Sequence, residues 1–233
     1  MGVSLKSEIV NQMICVPIMA RNSVEAIKKI SIASPIADML EIRLDVMEAF
    51  DLNKIVRASV KPVIVTYRSK KEGGSGLARY ETRVRHLLRA IEVGADLVDV
   101  EYSMPQIYRQ EIFQKEGPSK IIISVHVSNQ TPSQGKLEGT FRKMAATGAD
   151  IVKIITYARA PEDNLRVLGL IPLAQKLGIK IIAFCMGPAG RMSRIFTLVM
   201  GGYLSFASLE EGQESASGQI PVREMRKILD MLS

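Results

Sequence analysis

Two residue types in this chain stand where they could do covalent chemistry. Lys153 interrupts an apolar run, Asp150-Ile-Val-Lys-Ile-Ile-Thr156, where a strand is expected to cross a core. Burial of an unpaired ammonium is costly and favours the neutral amine, which is a nucleophile. A second strand-like run, Lys120-Ile-Ile-Ile-Ser-Val-His126, ends in one of the two histidines of the chain. Imidazole exchanges protons near neutral pH. An amine nucleophile beside a proton-transfer group points to carbonyl chemistry through a Schiff base.

These groups need a scaffold that aims them at one another, and the sequence supplies a repeating alternation. Strands are predicted over Met13–Ile18, Met39–Asp45, Pro62–Tyr67, Asp96–Glu101, Lys120–Val125, Asp150–Ile155, Lys180–Cys185 and, more weakly, Gly202–Phe206. Helical spacing is found over Ser23–Ile32, Arg79–Val93, Met104–Lys115, Thr140–Thr147, Pro161–Leu177, Met192–Met200 and Pro221–Leu232. Gly94, Gly148 and Gly178 close three of these helices, and Gly94-Ala-Asp96 and Gly148-Ala-Asp150 lead straight into strands. Eight strands alternating with helices predict a single α/β domain, a parallel (β/α)8 barrel spanning residues 1–233. The rival is an open doubly wound sheet. It would carry a glycine-rich nucleotide fingerprint after its first strand, and Pro17-Ile-Met-Ala-Arg21 has none.

In a barrel, alternate strand residues face the interior, and catalytic groups gather at the carboxyl ends of the strands. Glu41, Arg43 and Asp45 alternate with Leu40, Ile42 and Leu44, so the three charges share one predicted face. Thr66 and Arg68, Asp99 and Glu101, Ser124 and His126, and Ile151 and Lys153 fall on the same inward face of successive strands. A purely structural reading of so many buried charges requires a closed network, such as Glu41 with Arg43 or Arg68.

Composition bounds the function. With 47% hydrophobic and 24% charged residues the chain reads as an ordinary globular protein, and no run approaches the roughly 18 apolar residues of a membrane span. Met1-Gly2 opens no apolar signal core, and Lys6 spoils a myristoylation motif, so a cytoplasmic protein is expected. Cys15 and Cys185 each lie in a strand-like segment, far from a second ligand, and are expected to be buried thiols rather than metal ligands. A net charge of +7 is spread along the chain with few aromatics, which argues against nucleic acid and for a surface that attracts a small anionic substrate. His86, in the basic run Arg79–Arg89, is expected on a solvated helix face. Gly73-Gly-Ser-Gly76 reads as a flexible rim, because it lacks the Lys-Ser/Thr ending of a phosphate loop. Gly187-Pro-Ala-Gly190, before a helix, could turn backbone amides toward an anion such as a carboxylate.

Taken in order, Glu41-Ile-Arg-Leu-Asp45, Thr66-Tyr-Arg68 followed by Glu72-Gly-Gly74, Asp99-Val-Glu101, Ser124-Val-His126, Lys153, Met186-Gly-Pro-Ala-Gly-Arg-Met-Ser-Arg194 and Ser215-Ala-Ser-Gly-Gln219 resemble the type I 3-dehydroquinate dehydratases nearly end to end. The resemblance implies a (β/α)8 barrel that converts 3-dehydroquinate to 3-dehydroshikimate, a step of the shikimate pathway, with no metal or organic cofactor. It implies Lys153 as the Schiff-base lysine and His126 as the general acid–base. By position, Arg194 resembles the arginine that receives the substrate carboxylate. Ser215 and Gln219 match a loop that closes over the substrate. Glu41, Arg43 and Arg68 match residues that bind ring hydroxyls, with Glu72 in support, and Met186 and Phe206 match apolar contacts. Two departures stand out: Val127 and Ser128 follow His126 where the family commonly has Asp or Asn and an aromatic, and Ser217 replaces a frequent proline. A homodimer is expected, with a small-molecule substrate and neither nucleic acid nor membrane as partner. Two other readings remain open from the residues: a Schiff-base aldolase on the same barrel, and a catalytically silent barrel that binds a metabolite.

Overall fold

The computed structural model describes residues 12–232, so Met1, Gly2 and Lys6 lie outside the described residues. Eight parallel strands run in sequence order: β1 (Met13–Ile18), β2 (Met39–Arg43), β3 (Val63–Thr66), β4 (Leu97–Glu101), β5 (Lys120–His126), β6 (Ile151–Tyr157), β7 (Lys180–Met186) and β8 (Leu204–Phe206). β8 pairs back on β1, with Phe206 opposite Cys15, while β7 and β8 share only the Tyr203 N–H donated to the Ile181 carbonyl at 2.7 Å. The result is a nearly closed (β/α)8 barrel. Between the strands lie α1 (Ser23–Ala33), α2 (Leu52–Arg57), α3 (Tyr80–Glu92), α4 (Gln106–Phe113), α5 (Gln134–Ala145), α6 (Asp163–Leu168), α7 (Leu170–Lys176), α8 (Arg191–Val199) and α9 (Val222–Leu232).

Side-chain alternation splits the apolar residues into two cores. Outward positions such as Val16, Leu40, Ile42, Val98, Ile123, Val152 and Ile154 pack with helix residues including Ile30, Leu87, Phe141 and Leu229. Inward positions Cys15, Met39, Ile64, Leu97, Ile122, Ile151, Ile182 and Leu204 form a separate plug inside the barrel. Both cysteines are buried free thiols. Two residues further along β2 to β6 the interior turns polar, with Glu41, Thr66, Asp99, Ser124 and Lys153 all buried, while β7 and β8 carry Phe184 and Phe206 at that level. A sealed apolar floor with a polar layer above it puts the chemistry at the carboxyl ends of the strands.

At the opposite rim, aspartates ahead of the strands satisfy backbone donors next door. Asp38 accepts from Ile14 N–H, Asp96 from Val63 N–H and Asp150 from Ile121 N–H, each at 2.8 Å. An Ala-Asp step, preceded by glycine at Asp96 and Asp150 and by Ile36 at Asp38, thus ties alternate strand pairs at the floor, where an unpaired amide would be costly.

Several boundaries differ from expectation for physical reasons. Asp45 does not extend β2: the chain leaves the strand at Arg43 and turns through Leu44–Val46. α2 was not anticipated, and it starts at an Asp51 side chain that caps Lys54 N–H at 3.2 Å. α5 starts at Gln134 rather than near Thr140, since Gly135 and Gly139 masked a helix held by its buried Leu137, Phe141 and Met144. The segment 161–177 is two helices that meet at Gly169, and Pro172, which lacks an N–H, follows just inside the second. The basic run of α3 is a solvated face at Arg79, Arg85 and Arg89, but Arg83 is buried and His86 is half-buried, stacked on Tyr67 with ring centroids 5.9 Å apart. The 73–76 rim is folded back, with Gly76 N–H bonded to the Arg68 carbonyl and Lys70 N–H to the Gly76 carbonyl. It is a tied turn.

Candidate active site

Lys153 stands in the middle of β6, 4% exposed, with its amine pointing up from the apolar floor. The amine is not unpaired as the sequence suggested. Nζ donates to Asp99 Oδ2 at 2.9 Å, lies 3.6 Å from Glu41 Oε1 and sits 4.4 Å from the Phe206 ring centroid. Alternation along β4 placed Asp99 on the inward face but could not say which cation would meet it. Burial alone would raise the Asp99 carboxyl, but Arg68, Lys153 and the Ser124 hydroxyl outweigh it and hold the carboxyl well below the ordinary carboxylate range. Asp99 is therefore an anion that takes no proton near neutral pH.

Arg68, just past the end of β3, organises the carboxylates. Its guanidinium reaches Asp99 at 2.8 Å, Glu101 at 3.1 Å, Glu72 at 3.4 Å and the Ser124 hydroxyl at 3.1 Å. Buried Arg83 holds the other oxygen of Glu101. Arg43 is not closed by Glu41. Asp45 grips it through two bonds of 2.8 Å, and also accepts the backbone N–H groups of Arg68 and Ser75. Glu41 instead accepts the Thr66 hydroxyl at 2.8 Å. The closed network imagined for these charges exists, but its members pair differently from the sequence guess.

His126 ends β5, two residues beyond Ser124, which pairs in register with Lys153. That spacing keeps His126 and Lys153 on one face and in one cavity. Glu72, on the loop after β3, accepts the His126 backbone N–H at 3.0 Å and lies 3.4 Å from the imidazole Nδ1. Burial first, then the nearby Arg68 and Lys153 cations, pushes the imidazole well below the usual histidine range, with Asp99 opposing. The ring is neutral at neutral pH. With Nδ1 facing a carboxylate, the proton belongs on Nδ1 and the free electron pair on Nε2.

Arg194, on α8, is 1% exposed and finds only carbonyl oxygens, those of Phe206 at 3.4 Å and Ser217 at 3.1 Å. Its guanidinium lies over the Phe184 ring at 4.7 Å, and its Nε has no partner. Among the described residues no carboxylate pairs with it. Burial, unrelieved by an acid, pushes it down to about 9, still a cation at neutral pH. The 215–219 loop reaches over it. Ser215 N–H bonds to Gln219 Oε1 at 2.7 Å, and the Ser217 carbonyl also accepts Gly187 N–H at 3.0 Å.

One cavity is lined by Lys153, His126, Glu41, Arg43, Arg68, Glu72, Arg194, Met186, Phe206, Ser215 and Gln219, so the structure brings all eleven positions together. Ile155, Phe184, Gly73 and Ala216 also line it and went unremarked as site residues. Period-two alternation was enough to find Ile155 and Phe184. Ser103, which donates to Glu72 at 2.5 Å, carried no signal because it lies on a loop.

With this geometry established, likeness to known proteins becomes informative. A family model described as Type I 3-dehydroquinase matches residues 14–233. The 3-dehydroquinate dehydratase of Pyrococcus abyssi is 36% identical over 221 residues, covering 94% of this chain and 98% of its own. That of Syntrophobacter fumaroxidans is 38% identical over 172 residues, 73% of each chain. The crystal structure of a type I 3-dehydroquinate dehydratase from Clostridium difficile, holding covalently modified comenic acid, is 27% identical with a TM-score of 0.84, covering 95% of this chain and 92% of the other. A match over nearly the whole length, on a barrel whose polar end is built as described, means that this chain belongs to the type I 3-dehydroquinase family.

Proposed function

We propose that the protein dehydrates 3-dehydroquinate to 3-dehydroshikimate through a Schiff base on Lys153, as a step toward chorismate. One observation carries the reading: a buried lysine and a neutral, partly buried imidazole share a cavity with a buried arginine that has no acid partner among the described residues. The substrate's carboxylate supplies the missing acid at Arg194, through paired charge-assisted bonds that a planar guanidinium favours. This anchors the ring with its C3 ketone toward Lys153.

His126 Nε2 takes a proton from the Lys153 ammonium, the free amine attacks C3, and the imidazolium returns the proton to the carbinolamine hydroxyl, which leaves as water to give an iminium and a neutral imidazole again. Asp99 stays ionised throughout, so it serves as counter-ion to that iminium rather than as a base. The iminium draws electrons from the C2–H bond. His126, neutral with Nε2 free, takes the C2 proton, and the resulting imidazolium returns it to the departing C1 hydroxyl, which leaves as water. Hydrolysis of the iminium then frees the product and the amine. Glu41 and the Asp45-held Arg43 offer an acceptor and a donor to ring hydroxyls, and the 215–219 loop excludes water.

The test is direct turnover of 3-dehydroquinate, followed by the enone absorbance of the product, with borohydride added to a parallel sample. A stable mass increase on the peptide containing Lys153 is expected. An unchanged spectrum, or an adduct on another lysine, overturns the proposal. A sugar-phosphate aldolase on the same barrel would leave the enone region flat.

A further inference from the structure

Glu72 is the group that orients the imidazole, and it is itself held from a segment to which no role has been given. The chain leaves β4 through a turn, Glu101–Met104, closed by Met104 N–H to the Glu101 carbonyl at 3.1 Å. Both ends of that turn are fixed. Glu101 is buried between Arg68 and Arg83 and also accepts Ser69 N–H at 2.8 Å, and Met104 is 1% exposed in the core. Ser103, at the solvent side of this rigid turn, donates its hydroxyl to Glu72 Oε1 at 2.5 Å. The other oxygen, Oε2, faces the His126 backbone N–H and Nδ1. One carboxylate thus bridges the loops after β3 and β4 and the end of β5.

We infer that Ser103 is a positioning residue for the reaction, seating Glu72 so that the His126 imidazole is held in the tautomer with Nε2 free. The inference rests on the function proposed above. A carboxylate can hold an N–H donor only while ionised, and the surroundings of Glu72 work against ionisation. Burial first and then Glu101 raise its carboxyl, with Arg68, the Ser103 hydroxyl and the His126 backbone N–H opposing. Arg43, Arg68, Lys153 and Asp99 are the charges that act on the imidazole itself, and none of them bonds to Ser103. Ser103 is the only hydroxyl on Glu72 among the described residues. Its loss removes a charge-assisted bond that favours the carboxylate form.

The sign of the effect follows. Without Ser103 the Glu72 carboxyl rises further, becomes neutral at higher pH, and stops fixing the imidazole there. The acid limb of the kcat profile therefore moves to higher pH. Ser103 is exposed, so replacing it leaves the core untouched. The experiment compares wild type, Ser103→Ala and Ser103→Thr on 3-dehydroquinate across pH, with Lys153 trapping by borohydride in each. Ser103→Ala is expected to lower kcat by about three- to tenfold near neutral pH. Its acid limb should move up by about half a unit or more, with KM within about twofold and trapping intact. Ser103→Thr, which keeps the hydroxyl, should restore both rate and limb. A Ser103→Ala profile that superposes on wild type, or one that falls equally at every pH and is not rescued by threonine, overturns the inference. Wild type that fails to turn over 3-dehydroquinate would overturn the proposed function instead.

Discussion

Two buried cations line this cavity, and they are provided for in opposite ways. Lys153 has an ionised carboxylate at 2.9 Å and a second at 3.6 Å. Arg194, equally buried, has two carbonyls, an aromatic face and an unsatisfied Nε. A protein that only needed to fold would treat both alike, since a buried charge without a partner costs several kcal/mol. On the proposed function the difference corresponds to two tasks. The lysine end is complete before substrate arrives, with its nitrogen aimed and its counter-ion in place. The arginine end is left short of one anion, which the proposed substrate would bring.

The largest break in the comparison comes from removing each cation in turn. Lys153→Ala should abolish the covalent route, lowering kcat by about 10⁴-fold or more, and should leave no borohydride-trapped adduct. Arg194→Ala should still trap substrate on Lys153 when substrate is concentrated enough to fill the site. Steady-state assays with mass analysis of the reduced protein separate the two. An Arg194→Ala protein that binds substrate normally but forms no adduct would reverse the assigned tasks.

Next in size is stability. Asp99→Ala removes the shortest ion pair of both Lys153 and Arg68, leaving Lys153 only Glu41 at 3.6 Å and Arg68 only Glu101 and Glu72 as carboxylate partners, and should cost about 3–5 kcal/mol in urea unfolding. Arg194→Ala strands nothing. Relief of an unpaired charge offsets the packing lost against Phe184, and the change should stay within about 1 kcal/mol. Equal losses in the two variants would mean that Arg194 has a structural partner after all. The same Arg194→Ala protein should raise the KM for substrate about 100-fold, as loss of paired charge-assisted bonds predicts, and should lower affinity for other small carboxylates in parallel.

This contrast also explains what the sequence could and could not say. The barrel was legible because its cause is local: period-two alternation along Met39–Arg43 or Lys120–His126, and a helix stop at Gly94, Gly148 or Gly178, are written in consecutive residues. The inward face was legible for the same reason, and with it the gathering of Glu41, Asp99, Ser124 and Lys153 at one level. Which inward residue bonds to which depends on side-chain reach across neighbouring strands, and no periodicity encodes that. So Lys153 was expected alone and is paired with Asp99, while Arg43 was offered to Glu41 and is held by Asp45. Residues on loops were harder still. Glu72, Ser215 and Gln219 became visible only through a family resemblance, and Ser103 through neither route.

The smallest expected effect sharpens the comparison from the side of protons. His126 lines the same cavity and is kept neutral by burial and by Arg68 and Lys153, so its folded value is below that of the unfolded chain, about 6.5. Below that pH the unfolded state takes up a proton that the folded state refuses. Stability should therefore fall as pH drops from about 6.5 toward the folded value, and this contribution should be absent above it. Asp99, depressed by the same cations, acts in a separate window: its contribution is present above about pH 4 and is lost only as pH falls further, through its folded value. His86, lowered by its own burial and by Arg85, adds a slope of the same sign from outside the site, so the test uses His126→Gln in both wild-type and His86→Gln backgrounds. Urea midpoints measured from about pH 7.5 to 4.5 should lose most of their slope only when His126 is replaced. If the slope survives in His126→Gln and vanishes in His86→Gln, the His126 imidazole is protonated as easily folded as unfolded, and the cations at the lysine end do not govern it.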